Sequence, residues 1–216
     1  MNRSGEASVK LRSPQSGPGQ GSGASALRAT LPMAVAALAL CATAQAEPRS
    51  YAIDPTHTFV SFEVAHFGTS TSRGRFERTQ GSVELDRAAK TGKVEISVAT
   101  ASVSTGVPAL DSHLRGPEFL ASESHPSATF VAEGFVFDGD TVTEVAGSLT
   151  LVGRTLPLTL KATNFNCYLS PLLLRETCGG DFEATLQRSR RGMSYGIGIG
   201  VPDSVRLLVQ VEAIRQ

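Results

Sequence analysis

Apolar and polar residues alternate with a period of two along most of the chain after residue 50. Val60, Phe62 and Val64 alternate with Ser61, Glu63 and Ala65, and Val83 and Leu85 flank Glu84. Val94, Ile96 and Val98 alternate with Glu95 and Ser97. Leu149 and Leu151 flank Thr150, and Leu156, Leu158 and Leu160 alternate with Pro157 and Thr159. Phe182, Ala184 and Leu186 continue the pattern, as do Val205, Leu207, Val209 and Val211, with Leu208 the exception. Side chains on a strand point to opposite faces in turn, so this spacing predicts strands with one apolar and one wet face. Turn residues punctuate them: Asp138-Gly139, Val152-Gly153-Arg154 and Lys90-Thr91-Gly92. Such tight connections join antiparallel neighbours.

One segment breaks the alternation. Pro108–Gly116 opens with proline and closes with glycine, and Leu110 and Leu114 stand four apart. This predicts a short helix over one end of the sheet. About eight short strands with no internal repeat fit one all-β domain. Periodicity alone leaves a two-sheet sandwich and a closed barrel equally open.

The N-terminus reads differently. Residues 4–25 are rich in Ser, Gly, Pro and Gln, then Arg28 precedes the apolar run Leu31–Ala44, which ends in Ala44-Gln45-Ala46. The run is shorter than the roughly 20 residues that span a bilayer. A basic residue, a short apolar run and an Ala-x-Ala site predict a signal peptide over residues 1–46, cleaved after Ala46, with a domain over 47–216. The whole chain is formally neutral, but residues 1–46 hold Arg3, Lys10, Arg12 and Arg28 against Glu6 alone. The remainder carries three more acidic than basic side chains. That balance argues against a nucleic-acid partner and allows at most transient membrane contact. Cys167 and Cys178 remain in the exported part, where an oxidising compartment predicts that they form one disulfide.

Chemistry-bearing patterns are sparse. His57, His66, His113 and His125 come from separate segments without HxH or HExxH spacing, so no metal site is expected. No G-x-S-x-G elbow is present for a nucleophile. Tyr195-Gly196-Ile197-Gly198-Ile199-Gly200 precedes a strand rather than a helix, which removes the phosphate-binding reading and suggests a thin, bent piece of sheet. Arg188-Ser189-Arg190-Arg191 reads as a solvated turn, or as a positive mouth for an anionic head group.

Several segments, taken in order, resemble the YceI-like family. Tyr51–His66 is similar to its opening strand, and Arg73-Gly74-Arg75-Phe76 with Gly81–Asp86 to its next hairpin. Ser104-Thr105-Gly106, Asp111-Ser112-His113-Leu114 and Pro117–Leu120 follow. His125–Phe130, the hairpin Gly147–Gly153, and the stretch from Arg188 to Glu212 complete the likeness. The Cys167–Cys178 loop and Arg190-Arg191-Gly192 depart from the family pattern. The resemblance implies an extended eight-stranded antiparallel β-barrel, lipocalin-like, with one short helix. It also implies a long polyisoprenoid lipid in the lumen, such as a prenylated quinone or prenyl phosphate. Export to the periplasm is implied as well, and no catalytic residue or further cofactor comes with it.

On that reading the lumen candidates are the rows Val60, Phe62 and Val64; Val94, Ile96 and Val98; and Phe130. Leu149, Leu151, Leu156, Leu158 and Leu160 join them, with Val205, Leu207 and Val209. His57, His66 and Asp111 are the rim candidates, and a homodimer is a candidate assembly. Two other functions fit the same residues: a secreted hydrolase with a dispersed Ser/His/Asp site, and a β-sandwich that binds protein through an edge.

Overall fold

The computed structural model describes residues 48–216, so the expected signal peptide lies outside the described residues. Eleven strand segments form one sheet: β1 (Arg49–Ile53), β2 (Phe59–His66), β3 (Ser70–Phe76), β4 (Thr79–Asp86), β5 (Thr91–Ala99), β6 (Val103–Ser104), β7 (Ser127–Asp138), β8 (Thr141–Leu151), β9 (Arg154–Leu169), β10 (Glu176–Gln187) and β11 (Ser204–Arg215). All pairings are antiparallel.

The eleven segments make eight staves. β1 and β2 lie end to end along β11, with Tyr51 opposite Arg215 and Val60 opposite Val209. β4 and β3 lie end to end along β1 and β2, and β5 and β6 repeat this along β4 and β3. Pairing of β11 with both halves of the first stave closes the sheet into a barrel. A sandwich is thereby excluded: the apolar faces converge on one axis.

Local chemistry explains the breaks. Between β1 and β2, the Asp54 carboxylate accepts the Thr56 N–H at 2.8 Å, an Asx-type turn that competes with the ladder. The Thr58 hydroxyl then stands in for the missing strand, donating to Glu212 O and accepting from Glu212 N–H, both at 3.1 Å. At the next break Ser102 plays a similar part, its hydroxyl accepting the Arg78 N–H at 3.1 Å. Gly139 (φ +55°) turns the β7–β8 hairpin, and Val152 (φ +50°) with Gly153 (φ +67°) turns the β8–β9 hairpin.

The alternation holds for the core. Val94, Ile96, Val98, Phe130, Leu149, Leu151, Leu158, Leu160 and Val209 are all buried. Cys167 and Cys178 face each other in register across β9 and β10 and form the expected disulfide. Helix α1 (Pro108–Arg115) begins at its proline and stops at Gly116, and covers one end of the barrel. The Asp111 carboxylate accepts from both the N–H and the hydroxyl of Thr105 at 2.7 Å, which fastens the helix to the loop before it.

Candidate functional site

Three apolar cavities follow one another along the barrel. The largest, about 280 Å³, lies under α1. Its walls come from the strands (Phe62, Val64, Phe76, Leu151, Leu186, Val205 and Leu207), and its cover from Leu110, His113, Leu114, Phe119, Met193 and Tyr195. A second, about 90 Å³, shares Phe76, Leu151, Leu186 and Leu207 with the first and adds Val60, Val98, Leu149 and Leu158. A third, about 70 Å³, shares Ile96, Phe130, Leu160 and Val209 with the second and reaches Tyr51, Phe165 and Cys178 at the disulfide end. The shared walls make a narrow apolar track, wide near α1 and tight beyond it. Twelve-residue strands such as β10 and β11 run about 40 Å at roughly 3.3 Å per residue, so the track is long as well as narrow.

All the sequence-predicted lumen candidates but one line these cavities. Leu156 is the exception. It is only partly buried, opposite Leu149 close to the β8–β9 turn, where the hairpin tip leaves the track.

The rim candidates divide. His66 lines the wide cavity. His57 does not: it sits in the wall at the β1–β2 break, exposed, with Nδ1 2.8 Å from the Asp54 carboxylate. Hydrogen bonds from His57 and then Thr56 lower the Asp54 pKa to about 2, and the same carboxylate raises that of His57. The Thr56 hydroxyl also lies on His57 Nδ1, at 3.1 Å, so acid and hydroxyl share one ring nitrogen. A hydrolytic relay needs them on opposite nitrogens. Asp111 is buried and spent on Thr105, so its part is to hold α1 rather than to border the opening.

The opening itself is built by residues that sequence reasoning misread. Arg188 and Arg191 are buried, at 3% and 2% exposure, so the basic run is neither a solvated turn nor an open positive mouth. Arg188 donates to the carbonyls of Tyr195 (2.7 Å), Pro202 (3.0 Å), Met193 (3.1 Å) and Val201 (3.2 Å). Arg191 donates to Leu149 O at 2.8 Å. Burial lowers the pKa of both guanidiniums. The Gly-Ile stretch is not sheet. It is a run of turns in which Gly196, Gly198 and Gly200 all take positive φ. A Cβ on Gly200 would lie 2.2 Å from the Phe67 ring, so only glycine lets this loop touch the β2–β3 turn. Phe67, Tyr195, Ile197 and Ile199 are exposed there and form an apolar lip. His113 stacks edge-on against Phe119 and Tyr195 and holds the Glu118 carboxylate at 2.9 Å.

A polar cluster stands at the far end of the track. The Glu176 carboxylate receives Arg49 (2.8 Å) and Arg87 (3.0 Å), lies 3.9 Å from Arg215, and accepts the Tyr51 hydroxyl at 3.2 Å. The one group of three close His, Cys, Asp or Glu donors among the described residues is Cys167, Glu176 and Cys178. The disulfide occupies both sulfurs, so this group does not fit a metal.

Comparison with known proteins agrees with this architecture. The chain is 34% identical over 193 residues to a UPF0312 protein of Pseudomonas aeruginosa, covering 88% of this chain and all of the relative. A UPF0312 protein of Azotobacter vinelandii is 34% identical over 139 residues, covering 63% and 72%. Among solved structures, Burkholderia cenocepacia BcnA superposes with a TM-score of 0.57 at 21% identity, covering 74% of this chain and 98% of BcnA. A polyisoprenoid binding domain from Saccharophagus degradans, implicated in plant cell wall breakdown, gives 0.56 at 14% identity, covering 78% and 99%. The Campylobacter jejuni YCEI protein gives 0.58 at 22%, covering 68% and 86%. At these identities the structural likeness speaks to fold alone. The YceI-like domain matches residues 51–213, and with eight staves closed around an apolar track, the chain belongs to the YceI-like family.

Proposed function

We propose that this protein binds a long polyisoprenoid lipid along the barrel axis and carries or stores it in the periplasm. The observation that carries this reading is the run of three apolar cavities that share walls along the barrel, the widest of them covered by α1 and the loops beside it. Each buried methylene contributes about 0.8 kcal/mol, so a prenyl chain has ample drive to leave water for such a track. Only part of that becomes affinity, because ordering and desolvation oppose it. The wide cavity under α1 suits the bulkier head, beside His66 and His113, and the tight portion suits the tail. Phe67, Ile197 and Ile199 offer an apolar approach to the opening.

The Saccharophagus domain, described as polyisoprenoid binding, supports the ligand class. The apolar run ending at Ala44-Gln45-Ala46 and the Cys167–Cys178 bridge support export to an oxidising compartment. Binding rather than catalysis is the reading, since the polar groups around the track are engaged in holding loops.

The test is extraction of the purified protein with organic solvent followed by mass spectrometry, and uptake of added prenylated quinone. A stoichiometric prenyl lipid is expected. A clean extract together with no uptake refutes the proposal. Leu158→Glu is expected to abolish uptake, because it sets a carboxylate in the narrow part of the track. Val64→Trp, which fills the wide cavity with an apolar ring, separates loss of the track from loss of the fold.

A further inference from the structure

The end of the barrel away from α1 carries a second surface. The loop from β9 to β10 is closed by two hydrogen bonds, Ser170 N–H to Arg175 O and Leu174 N–H to Ser170 O, both 2.9 Å. It turns four leucines outward. Leu172 is 91% exposed, Leu174 76%, Leu169 68% and Leu173 51%. Apolar groups held in water to this degree mark a contact surface. The Cys167–Cys178 bridge ties the base of the loop, so the tip projects from a fixed root.

Arginines gather at the root of this loop. Arg49, Arg87 and Arg215 converge on Glu176, and Arg175 is exposed next to it. The three paired arginine side chains are 36–50% exposed while Glu176 is 17% exposed. Within this cluster the guanidiniums therefore stand further out than the carboxylate they share. Two acids border this cluster: Glu212, bonded to the Tyr168 hydroxyl at 3.3 Å, and beyond Arg87 the exposed Asp140, paired with Lys90 at 2.8 Å.

We propose that this end docks on an anionic phospholipid surface. Leu172 and Leu174 enter among the acyl chains, and Arg49, Arg87, Arg175 and Arg215 meet the phosphates. A protein partner of standard size needs about 800 Å² on each side. A short convex tip offers little of that, whereas a bilayer closes around any convex shape. The cationic collar supplies the charge complementarity, which polybasic groups near an anionic leaflet exploit. The described residues include no helix long and apolar enough to cross a membrane, so this contact is peripheral. It leaves the opening under α1 pointing away from the lipid surface. The proposal does not depend on what occupies the track.

Vesicle co-sedimentation tests it, with phosphatidylcholine vesicles and phosphatidylcholine–phosphatidylglycerol vesicles. Retention on the mixed vesicles is expected, falling as salt rises. The double variant Leu172→Asp, Leu174→Asp and the double variant Arg87→Glu, Arg175→Glu are each expected to weaken retention about tenfold or more. Val131→Asp, on the outer wall of the barrel, is expected to leave it unchanged. No retention of the unaltered protein, equal retention on both vesicle types, or variants that bind as well as the parent would each overturn the proposal. A leucine variant that instead converts a dimer to a monomer, with vesicle binding unaltered, would assign the tip to a second copy of this chain and overturn it too. Prenyl lipid uptake is measured on the same variants. Its retention in a protein that no longer sediments with vesicles separates this surface from the track.

Discussion

The guanidinium of Arg188 lies 2.7 Å from the carbonyl oxygen of Tyr195, inside a loop whose carbonyls it pairs. The cation gathers four carbonyls from residues 193–202 and sits 6.0 Å over the Phe119 ring. One side chain thus joins the end of β10, the turn-rich loop and the segment after α1.

Arg188→Met is therefore expected to destabilise the protein by about 3 kcal/mol, since hydrogen bonds to charged donors are worth roughly 1.5–3 kcal/mol each and four carbonyls lose their partner. Thermal unfolding measures the loss. Hydrogen exchange should show the greatest change at residues 193–203, and uniform exchange across the barrel would count against this account.

Gly200→Ala is expected to detach the lip. The residue has φ +110°, and its new Cβ would overlap the Phe67 ring. A cost of about 1–3 kcal/mol is expected for such a backbone conformation. Phe67 resonances should shift while those of β7–β9 stay in place. Gly139→Ala, whose Cβ meets nothing within 4 Å, is expected to cost less.

Asp54 and His57 supply a pH signature. The His57 imidazolium is favoured by the Asp54 carboxylate, so its pKa lies above the ordinary 6.5. Its contribution is present below that value and is lost as pH rises through the raised one. Asp54, held at about 2, contributes above its ordinary range and loses that contribution as pH falls through 2. The pair is thus most favourable between those limits. NMR titration of His57 should give a raised pKa that returns to about 6.5 in Asp54→Asn.

Replacing both Cys167 and Cys178 by serine is expected to lower stability by about 2–3 kcal/mol in the chain-entropy picture. The same change should loosen the leucine tip. Denaturant unfolding gives the first quantity, and protease cleavage within residues 170–175 the second.

Much of this is legible in the sequence alone. Period-two alternation located the rows at Val60, Val94, Leu149 and Val205, because a strand wall between water and an apolar interior permits little else. The Pro108–Gly116 helix was legible from its ends. Alternation misled where glycine was one of the partners. Gly196–Gly200 has the period of a strand, yet positive φ at alternate residues winds it into turns. Charge misled at Arg188 and Arg191, because a run of arginines reads as solvated unless one knows which carbonyls converge on it. Placing His57 at a rim assumed that β2 starts at an edge. Collinearity of β1 and β2 is a tertiary fact, set by pairing with β11 more than 140 residues later.

That pairing bears on how the molecule comes into being. The first stave is held by the last, with Tyr51 opposite Arg215 and the Gln216 N–H on Ser50 O at 2.9 Å. No nascent chain that lacks β11 can complete the circle. The polypeptide must wait, with its greasy sides uncovered, until β11 arrives. Folding is expected to be slow and late, and a nascent chain that stalls short of β11 becomes a substrate for chaperones and proteases.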